Sequence, residues 1–535
     1  MSQRESLCMP TGLGVSLGIG TLAYLIVRYW NWPGSRHKDM PPGPPPLPII
    51  GNLHQLKPND IFMQLCELNK KYGPIASLKM GSNNMIVIAG DGSIIRELFD
   101  KRGAIYSNRP LEISTEIAGH GDHALWERDT NRWRVARKQM VQHYPRASKN
   151  RYAELQETES LQLLYDFLHS PGHHMHHPMR YATSVVTCLN YGVRCATYDD
   201  PVVREIEDIL NRLTVVNVPG TRPPIEQFPW MWYLPGYITG HWKDKVKTIG
   251  KLMDKLYCGL TDIGWERGAS GLSPDNLAYK LRLNEGATGM TRHRQAHVCG
   301  LLLEGGSDIV AAVISTGIMA LVENNNYQKW AQEEIDGLYN EETLPKWDDE
   351  QKMPFVRAVV REALRWRTPL PMGVPHKNEQ DDYYGGYFFP KGSTVVCNTA
   401  AIHLDSARYE DPEHFKPERF LDHTLSMAES AVQSDPLKRD HFSFGAGRRS
   451  CPGVQVAEQD IFIALARLLW AFEFSLPPGT SLVTDQLHGF FGEGIRRPKE
   501  FPLIIKARSE RRKATIEREL ASVRESVFSL YGSYK

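Results

Sequence analysis

The feature that most constrains this chain is a single cysteine in a basic, glycine-rich stretch, FSFGAGRRSCPG, at residues 442–453. Arg448 and Arg449 supply positive charge that favours the thiolate form of Cys451. The three glycines of the stretch allow a tight turn in which backbone N–H groups approach the sulfur. The stretch therefore suits either a single thiolate presented to a metal or a cysteine that is simply packed in a turn.

Charge and cysteine spacing exclude several classes of protein. The 535 residues contain 63 lysines and arginines against 62 aspartates and glutamates, so no net field gathers nucleic acid along the surface. The eight cysteines are far apart and form no CxxC pair. We therefore predict reduced thiols in a reducing compartment, with neither a disulfide framework nor a zinc knuckle.

The amino-terminal segment is apolar enough to cross a membrane. Residues 6–27 include no charged side chain, and roughly 20 helical residues span the hydrocarbon core of about 30 Å. Arg28, Arg36 and Lys38 follow directly, which places the body of the protein on the cytosolic side. A cleaved signal peptide is the alternative, but no small-x-small site follows the apolar run.

The rest of the chain divides by composition and periodicity. We predict a membrane anchor, a stiff proline-rich hinge, a catalytic body and a charged helical tail, at residues 1–30, 31–50, 51–507 and 508–535. Short strand patterns at 76–81 and 85–90 predict a hairpin, helical periodicity extends over about 153–322, and a second strand-rich patch covers about 385–396. The body is predicted to be mainly α with a smaller β part.

Two further segments allow more than one interpretation. The aromatic stretch at 219–236 suits a membrane interface, a substrate mouth or plain core packing. The histidines of PGHHMHHP, at 171–178, have no carboxylate or cysteine at ligand spacing, and the prolines mark a loop, so no zinc site is predicted there.

Five residues of the cysteine stretch follow the pattern FxxGxRxCxG: Phe444, Gly447, Arg449, Cys451 and Gly453. This pattern resembles the haem-binding loop of the cytochrome P450 haem-thiolate monooxygenases. The resemblance implies the cytochrome P450 fold behind an amino-terminal transmembrane helix. It also implies haem b as cofactor, Cys451 as the axial ligand of its iron, and Phe444 and Arg449 as neighbours of the cofactor.

Other stretches resemble that family in the same order. In NRWRVARK, Trp133 and Arg137 are four residues apart and leave one helix face, where the resemblance implies contacts with haem propionates. His376 is implied as another propionate contact, with a buried hydrogen-bonded histidine as the alternative. Glu362 and Arg365 resemble the structural Glu and Arg cluster of the family, with Arg419 as its third member.

The helix expected on the oxygen side of the haem departs from the family pattern. LLLEGGSDIVAAV supplies Gly306 and Asp308, which the resemblance implies as catalytic, but Ile309 replaces the usual threonine. The missing hydroxyl helps hold oxygen and a proton-carrying water in the family. A substrate hydroxyl or ordered water, an inward-turned Ser307, or a different reaction would account for its absence, and Asp308 is the expected proton-relay acid.

Three further stretches, PPGPPPLPIIGNLHQL, KRGAIYSNRP and HHPMRYATSVV, are similar to those of fungal microsomal members of the family. The resemblance implies a microsomal enzyme related to the O-methylsterigmatocystin oxidoreductase-like members of fungal mycotoxin pathways. Such an enzyme is anchored in the endoplasmic reticulum membrane by one span, with its catalytic domain in the cytosol. It takes electrons from an NADPH-cytochrome reductase and uses O2 to oxidise a small, apolar, polycyclic secondary metabolite. A haem-thiolate enzyme of desaturation, ring coupling or rearrangement is one alternative, and a non-catalytic haem-binding protein is another.

Overall fold

A computed structural model describes residues 18–24, 35–145 and 152–534. Residues 18–24 are helical and exposed, whereas the rest of the predicted anchor, 1–17 and 25–30, lies outside the described residues. Within the described residues, one helix is long and apolar enough to span a membrane, Arg292–Glu323, and 83% of its most apolar window is buried inside the protein. That burial is typical of a core helix.

The described part of the chain is mainly helical. Its α-helices, in chain order, are α1 Ile61–Tyr72, α2 Ser93–Ile95, α3 Gly103–Tyr106, α4 Ile113–Ala118, α5 Thr130–His143, α6 Ala153–His169, α7 His177–Tyr191, α8 Pro201–Asn217, α9 Trp242–Ala269, α10 Leu277–Leu283, α11 Glu285–Thr288, α12 Arg292–Glu323, α13 Asn325–Asp336, α14 Pro354–Trp366, α15 Thr399–His403, α16 Met427–Ser430, α17 Val454–Ala471 and α18 Glu510–Ser526. A π-helical turn, Arg96–Lys101, continues α2. Short 3-10 turns lie at Leu53–Gln55, Pro171–His173, Pro229–Tyr233, Trp347–Lys352, Pro417–Phe420, Pro436–Lys438, Gly447–Arg449 and Phe528–Leu530.

The β part is small and peripheral. Its strands are β1 Ile75–Met80, β2 Asn83–Ile88, β3 His376–Lys377, β4 Asp382–Tyr384, β5 Tyr387–Phe389, β6 Thr394–Cys397, β7 Phe472–Ser475, β8 Phe490–Phe491, β9 Arg497–Pro498 and β10 Ile504–Ala507. The largest sheet has the order β1-β2-β6-β3, and β1 and β2 pair antiparallel as the predicted hairpin. The prediction of a mainly α body with a smaller β part is therefore confirmed.

Helix α12 forms the axis of the core. Thr291 caps its amino terminus: the threonine hydroxyl accepts a hydrogen bond from the backbone N–H of Arg294 at 3.2 Å, which satisfies one donor of the first turn. Apolar residues occupy most of its circumference, which is the pattern of a helix buried on all sides. Helices α7, α9 and α17 pack around it, so the middle of α12 is held in a fixed position.

A buried ion pair joins α14 to the segment that leads to the cysteine stretch. Both carboxylate oxygens of Glu362 accept hydrogen bonds from Arg365, at 2.6 and 2.7 Å, and neither side chain is exposed. Arg419 donates to the same carboxylate at 3.2 Å, which confirms the predicted cluster. Arg365 also donates to the backbone carbonyls of His403, at 3.0 Å, and Pro412, at 2.6 Å. The three guanidinium nitrogens of Arg365 and both carboxylate oxygens of Glu362 thus each have a hydrogen-bond partner.

The carboxy-terminal tail forms α18, which packs along α6. Ile516 and Leu520 on α18 are buried, and Phe528 beyond it lies under the guanidinium of Arg194, 3.3 Å from the ring centre. The apolar stripe of this tail therefore packs against the body of the protein.

We expect Arg365→Ala to destabilise the fold by about 3–5 kcal/mol, because it leaves the buried carboxylate of Glu362 without its main partner. Lys513→Ala, which breaks the exposed Lys513–Glu510 pair, is the matched control and should cost less than about 1 kcal/mol. Denaturant midpoints followed by tryptophan fluorescence measure both. Equal midpoints for the two variants would contradict this account.

Candidate active site

The cysteine stretch is a closed loop against the amino terminus of α17. The backbone N–H of Cys451 donates to the carbonyl of Phe444 at 2.9 Å, and the backbone N–H of Gly447 donates to the carboxylate of Asp100 at 2.8 Å. Cys451 is partly exposed and precedes the first residue of α17 by three positions, where the helix dipole favours a negative charge. The seven cysteines among the described residues form no disulfide.

Gly447 has a position that only glycine can occupy. Its φ is +66°, and a Cβ atom built there would lie 2.1 Å from the carbonyl oxygen of Phe99. The turn that carries Cys451 therefore contacts the segment after α2 directly through the backbone. This close approach explains the glycine of the FxxGxRxCxG pattern in physical terms.

Two of the sequence-predicted side chains stack beside this loop. The guanidinium of Arg449 lies 4.1 Å from the ring centre of Trp133, which α5 carries and which is 8% exposed. Arg137, one turn further along α5, donates from Nη2 to the carbonyl of Ser450, the residue before Cys451. The structure thus brings Trp133, Arg137 and Arg449 together around the cysteine.

A further cation in this cluster was not predicted from the sequence. Arg109 is 2% exposed, and it donates to the backbone carbonyls of Val374 and Pro375, each at 2.8 Å, and of Leu125 at 3.2 Å. Burial and the neighbouring Arg449 lower the pKa of Arg109 well below its usual value. KRGAIYSNRP contains this arginine, but nothing in its local spacing distinguishes it from a surface residue.

His376 is held as a neutral ring. Its Nδ1 lies 2.6 Å from the carbonyl of Tyr106, which requires a proton on that nitrogen, and its ring stacks on Phe99 at 4.3 Å. Burial, with Arg109 next in importance, lowers the pKa of His376 well below its usual value. The remaining nitrogen, Nε2, donates to a carboxylate only if an added anion makes the ring an imidazolium.

This donor set fits the two carboxylates of a haem b. The hydrogen bonds of Arg109 and Arg449 end on backbone carbonyls, so their charges are not neutralised by direct carboxylate partners. Burial lowers the pKa of Arg449 to about 9, opposed by Glu127 and reinforced by Arg137. A cluster with such a surplus of buried positive charge favours an anionic ligand, and the thiol of Cys451 provides the soft ligand that iron requires.

The face of α12 that is partly accessible is apolar. On this mostly buried helix, accessible positions recur at one face: Leu301, Leu302, Gly305, Gly306 and Ile309. A Cβ atom at Gly305 would have nothing within 4 Å, whereas one at Gly306 would lie 2.3 Å from Val186 of α7. Open space on this face is therefore at Gly305, whereas Gly306 allows α12 and α7 to pack closely.

Asp308 lies away from that face and has a partner that was not predicted. Oδ1 of Asp308 lies 3.1 Å from Nη1 of Arg497 on β9, and the aspartate is 1% exposed. Burial raises the pKa of Asp308 to about 6, although Arg497 opposes the shift. Arg497 also donates to the amide oxygen of Asn211 on α8 at 3.0 Å. The hydroxyl of Ser307 is fully buried and has no hydrogen-bond partner within the described residues.

Comparisons with known proteins agree with this geometry. The family model for Cytochrome P450 matches residues 41–501. Cytochrome P450 monooxygenase patI of Penicillium expansum is 34% identical over 96% of this chain and 98% of its own length. Cytochrome P450 monooxygenase acuD of Aspergillus aculeatus is 35% identical over 92% and 93%. A zebra fish cytochrome P450 solved with abiraterone has a TM-score of 0.66 at 22% identity, covering 84% of this chain and 100% of that chain.

The chain belongs to the cytochrome P450 family. It is a cytochrome P450 monooxygenase whose cofactor is a haem with a cysteine thiolate ligand. An enzyme is thereby favoured over the non-catalytic haem-binding protein considered from the sequence. Membership also implies, in general terms, a redox partner that supplies electrons and the use of O2.

We expect Gly447→Ala to abolish haem-thiolate formation, because the added methyl collides with the Phe99 carbonyl. Gly479→Ala is the matched control, since Gly479 also has a positive φ, +78°, but open space around its Cα. The control carries only the backbone strain of about 1 kcal/mol. The absorption band of the reduced carbon monoxide complex measures thiolate ligation. A full band in Gly447→Ala would show that the contact with Phe99 is dispensable.

Proposed function

We propose that this monooxygenase oxidises a small, apolar, polycyclic secondary metabolite. The observation that carries the proposal is the accessible face of α12, where Leu301, Leu302, Gly305 and Ile309 present neither a charge nor a hydrogen-bonding side chain. Such a surface binds apolar molecules by removing their surface from water, and it offers polar ones no compensation for lost hydration.

In this proposal the predicted site residues hold the cofactor. A bound haem would supply the oxygen-activating chemistry, and Cys451 would hold its iron through the thiolate. Trp133, Arg137, Arg449 and His376 orient the propionates, while Phe444 closes the cysteine loop through its carbonyl. We add Arg109 to the propionate-binding set, because its buried charge lies beside that of Arg449. Arg137, which also lies near Arg449, completes the same positive cluster.

We assign the proton relay to Asp308. A buried carboxyl with a pKa of about 6 exchanges protons near neutral pH, and Arg497 limits how far that pKa rises. Ile309 supplies no hydroxyl, and Ser307 and Asp308 are both buried outside the accessible face of α12, so Asp308 needs a link to that face. A substrate hydroxyl or an ordered water is therefore favoured as the link from Asp308 to the reacting atoms.

A second candidate function has one observation in its favour. Ile309 lies on the accessible face of α12, where the family pattern has a threonine, and its side chain neither donates nor accepts a proton. Poor proton delivery favours outcomes in which no oxygen atom remains in the product. Desaturation, ring coupling and rearrangement are therefore the alternatives to oxygen insertion.

We also propose that the enzyme acts at the endoplasmic reticulum membrane with its body in the cytosol. Besides the predicted anchor, the segment around the 3-10 turn Pro229–Tyr233 exposes a group of large side chains: Trp230 (60%), Tyr233 (85%), Tyr237 (78%) and Ile238 (62%). Aromatic side chains of this kind are enriched at the boundary between lipid and water.

The electron donor in this proposal is an NADPH-cytochrome reductase that docks on the cysteine side. Arg134 and Lys138 lie on the exposed face of α5, and the exposed Arg448 precedes Cys451 by three residues. A basic surface of this kind attracts an acidic partner and accelerates its encounter.

Deleting the gene from its host and analysing metabolites by mass spectrometry tests the function. We expect a precursor to accumulate and a product heavier by one oxygen atom to disappear. Loss of hydrogens, coupling or an unchanged formula would select the second candidate function. A charged, highly polar precursor would contradict the proposed substrate class under either reaction.

We expect Arg497→Met to move the pH profile of product formation to higher pH. Arg497 lowers the pKa of Asp308, so its removal raises that pKa above about 6 and keeps the proton-donating form present to higher pH. An upward shift of one unit raises the protonated fraction at pH 7 from roughly a tenth to roughly a half.

The measurement is the amount of product formed per NADPH consumed between pH 5.5 and 8.5, with the metabolite that accumulates in the deletion strain as substrate. We expect the profile of Arg497→Met to move upward by on the order of one pH unit. Arg508→Met is the control, because Arg508 pairs instead with Asp336. Identical profiles for wild type and Arg497→Met would remove Asp308 from the proton path.

A further inference from the structure

Outside the cysteine site, three side chains with metal-binding atoms converge between α9 and α12. Oδ1 of Asp254 lies 3.0 Å from Nε2 of His293 and 3.1 Å from Nε2 of His297. One ligand-type atom from each of the three residues lies within 4.8 Å of the others. His293 and His297 are four residues apart on α12, so one helix face presents both rings to the aspartate on α9.

A fourth side chain approaches from the loop after α4. Nε2 of His120 lies 3.3 Å from Oδ2 of Asp254, and its ring centre is 5.6 Å from that of His293. His120 has a φ of +48°, a left-handed backbone conformation that is uncommon outside glycine. Three separate segments of the chain thus meet at one aspartate.

Asp122 holds one of these rings from behind. Its Oδ2 lies 2.8 Å from Nδ1 of His293, on the side of the ring opposite Asp254. Arg132 lies 2.6 Å from the other oxygen of Asp122 and Arg294 lies 3.5 Å from it. A carboxylate that fixes the second nitrogen of a ligating histidine is the usual support around protein metal ions.

Two histidine rings share one carboxylate oxygen in this arrangement. Nε2 of His293 and Nε2 of His297 both point at the single oxygen Oδ1 of Asp254, and His293 faces carboxylate oxygens through both of its nitrogens. Without a metal ion, His293 must therefore carry two protons. His297 has no exposed side-chain surface, and its Nδ1 has no hydrogen-bond partner within the described residues.

We propose that Asp254, His293, His297 and His120 bind one divalent transition-metal ion, Zn²⁺ in the first place. Metal–ligand bonds of 2.0–2.1 Å in a tetrahedral site place neighbouring ligand atoms about 3.3 Å apart. The separations of 3.0 and 3.1 Å from Oδ1 of Asp254 to the two rings of α12 approach that value, and His120 lies 3.3 Å from Oδ2 of the same carboxylate. Imidazole and carboxylate ligands together suit Zn²⁺ better than Mg²⁺ or Ca²⁺.

The bound ion acts as a clamp on the loop that follows α4. It ties His120 of this loop to α9 and α12 at a point about 12 Å along α12 from Gly305. The same loop supplies the carbonyls of Leu125 and Glu127 that accept hydrogen bonds from Arg109 and Arg449. The site is separate from the cysteine ligand, so its existence does not depend on the identity of the substrate.

The zinc content of the full-length holoenzyme, dialysed after exposure to zinc sulfate, tests this site. We expect about one zinc per haem iron in the wild type and a zinc-edge X-ray absorption spectrum with nitrogen and oxygen ligands at about 2.0 Å. His297→Ala should lose that zinc. Because His297 is fully buried, His120→Ala provides a second variant on the exposed loop, and we expect it to weaken zinc binding at least about tenfold.

His488→Ala is the matched control, because exposed His488 pairs with Asp485 at 2.9 Å in the same way but has no second histidine. The carbon monoxide difference spectrum shows whether each variant keeps its haem. Zinc retained by the control and lost by the other two variants supports the site. A wild type without zinc, or variants that retain it equally, would overturn the proposal and leave an imidazole–carboxylate network.

Discussion

The position of the cysteine depends on a buried ion pair. Glu362 and Arg365 are both withdrawn from water, and burying two charges costs several kcal/mol unless their hydrogen-bonding capacity is satisfied. Arg419 and the carbonyls of His403 and Pro412 satisfy it, and these groups belong to the segment that leads toward Cys451. The pair therefore fixes the route of the chain into the cysteine loop as well as holding α14 in place.

The cluster beside that loop has the opposite electrostatic character. Arg109 and Arg449 are buried close together, and their hydrogen bonds end on neutral carbonyls. Their mutual repulsion lowers stability until an anion enters, so the proposed binding of the two propionates at this cluster would also stabilise the fold. His376 follows the same logic, because it becomes a donor from Nε2 only when a carboxylate favours its charged form.

The sequence predicted those features of the fold that depend on residues near one another in the chain. The hairpin β1–β2 and the mainly α fold follow from periodicity, whereas the cluster of Glu362, Arg365 and Arg419 was expected from the family resemblance. Arg109 and Arg497 escaped prediction because their partners, Val374 and Asp308, are far away in the chain, and only the packed fold brings them together. The cluster of Asp254, His293 and His297 was not predicted for the same reason. The histidines at 171–178, which are conspicuous in the sequence, form no such group among the described residues.

The loop after α4 contacts both the arginine cluster beside the cysteine loop and the proposed metal site. Its carbonyls at Leu125 and Glu127 accept hydrogen bonds from Arg109 and Arg449, the arginines proposed to bind the propionates, and its His120 reaches Asp254 on α9. The residues proposed to hold the cofactor and those proposed to hold the metal ion therefore contact one stretch of backbone. Linkage is reciprocal, so whatever effect the cofactor has on the binding of the proposed metal ion, the ion has the same effect on the binding of the cofactor.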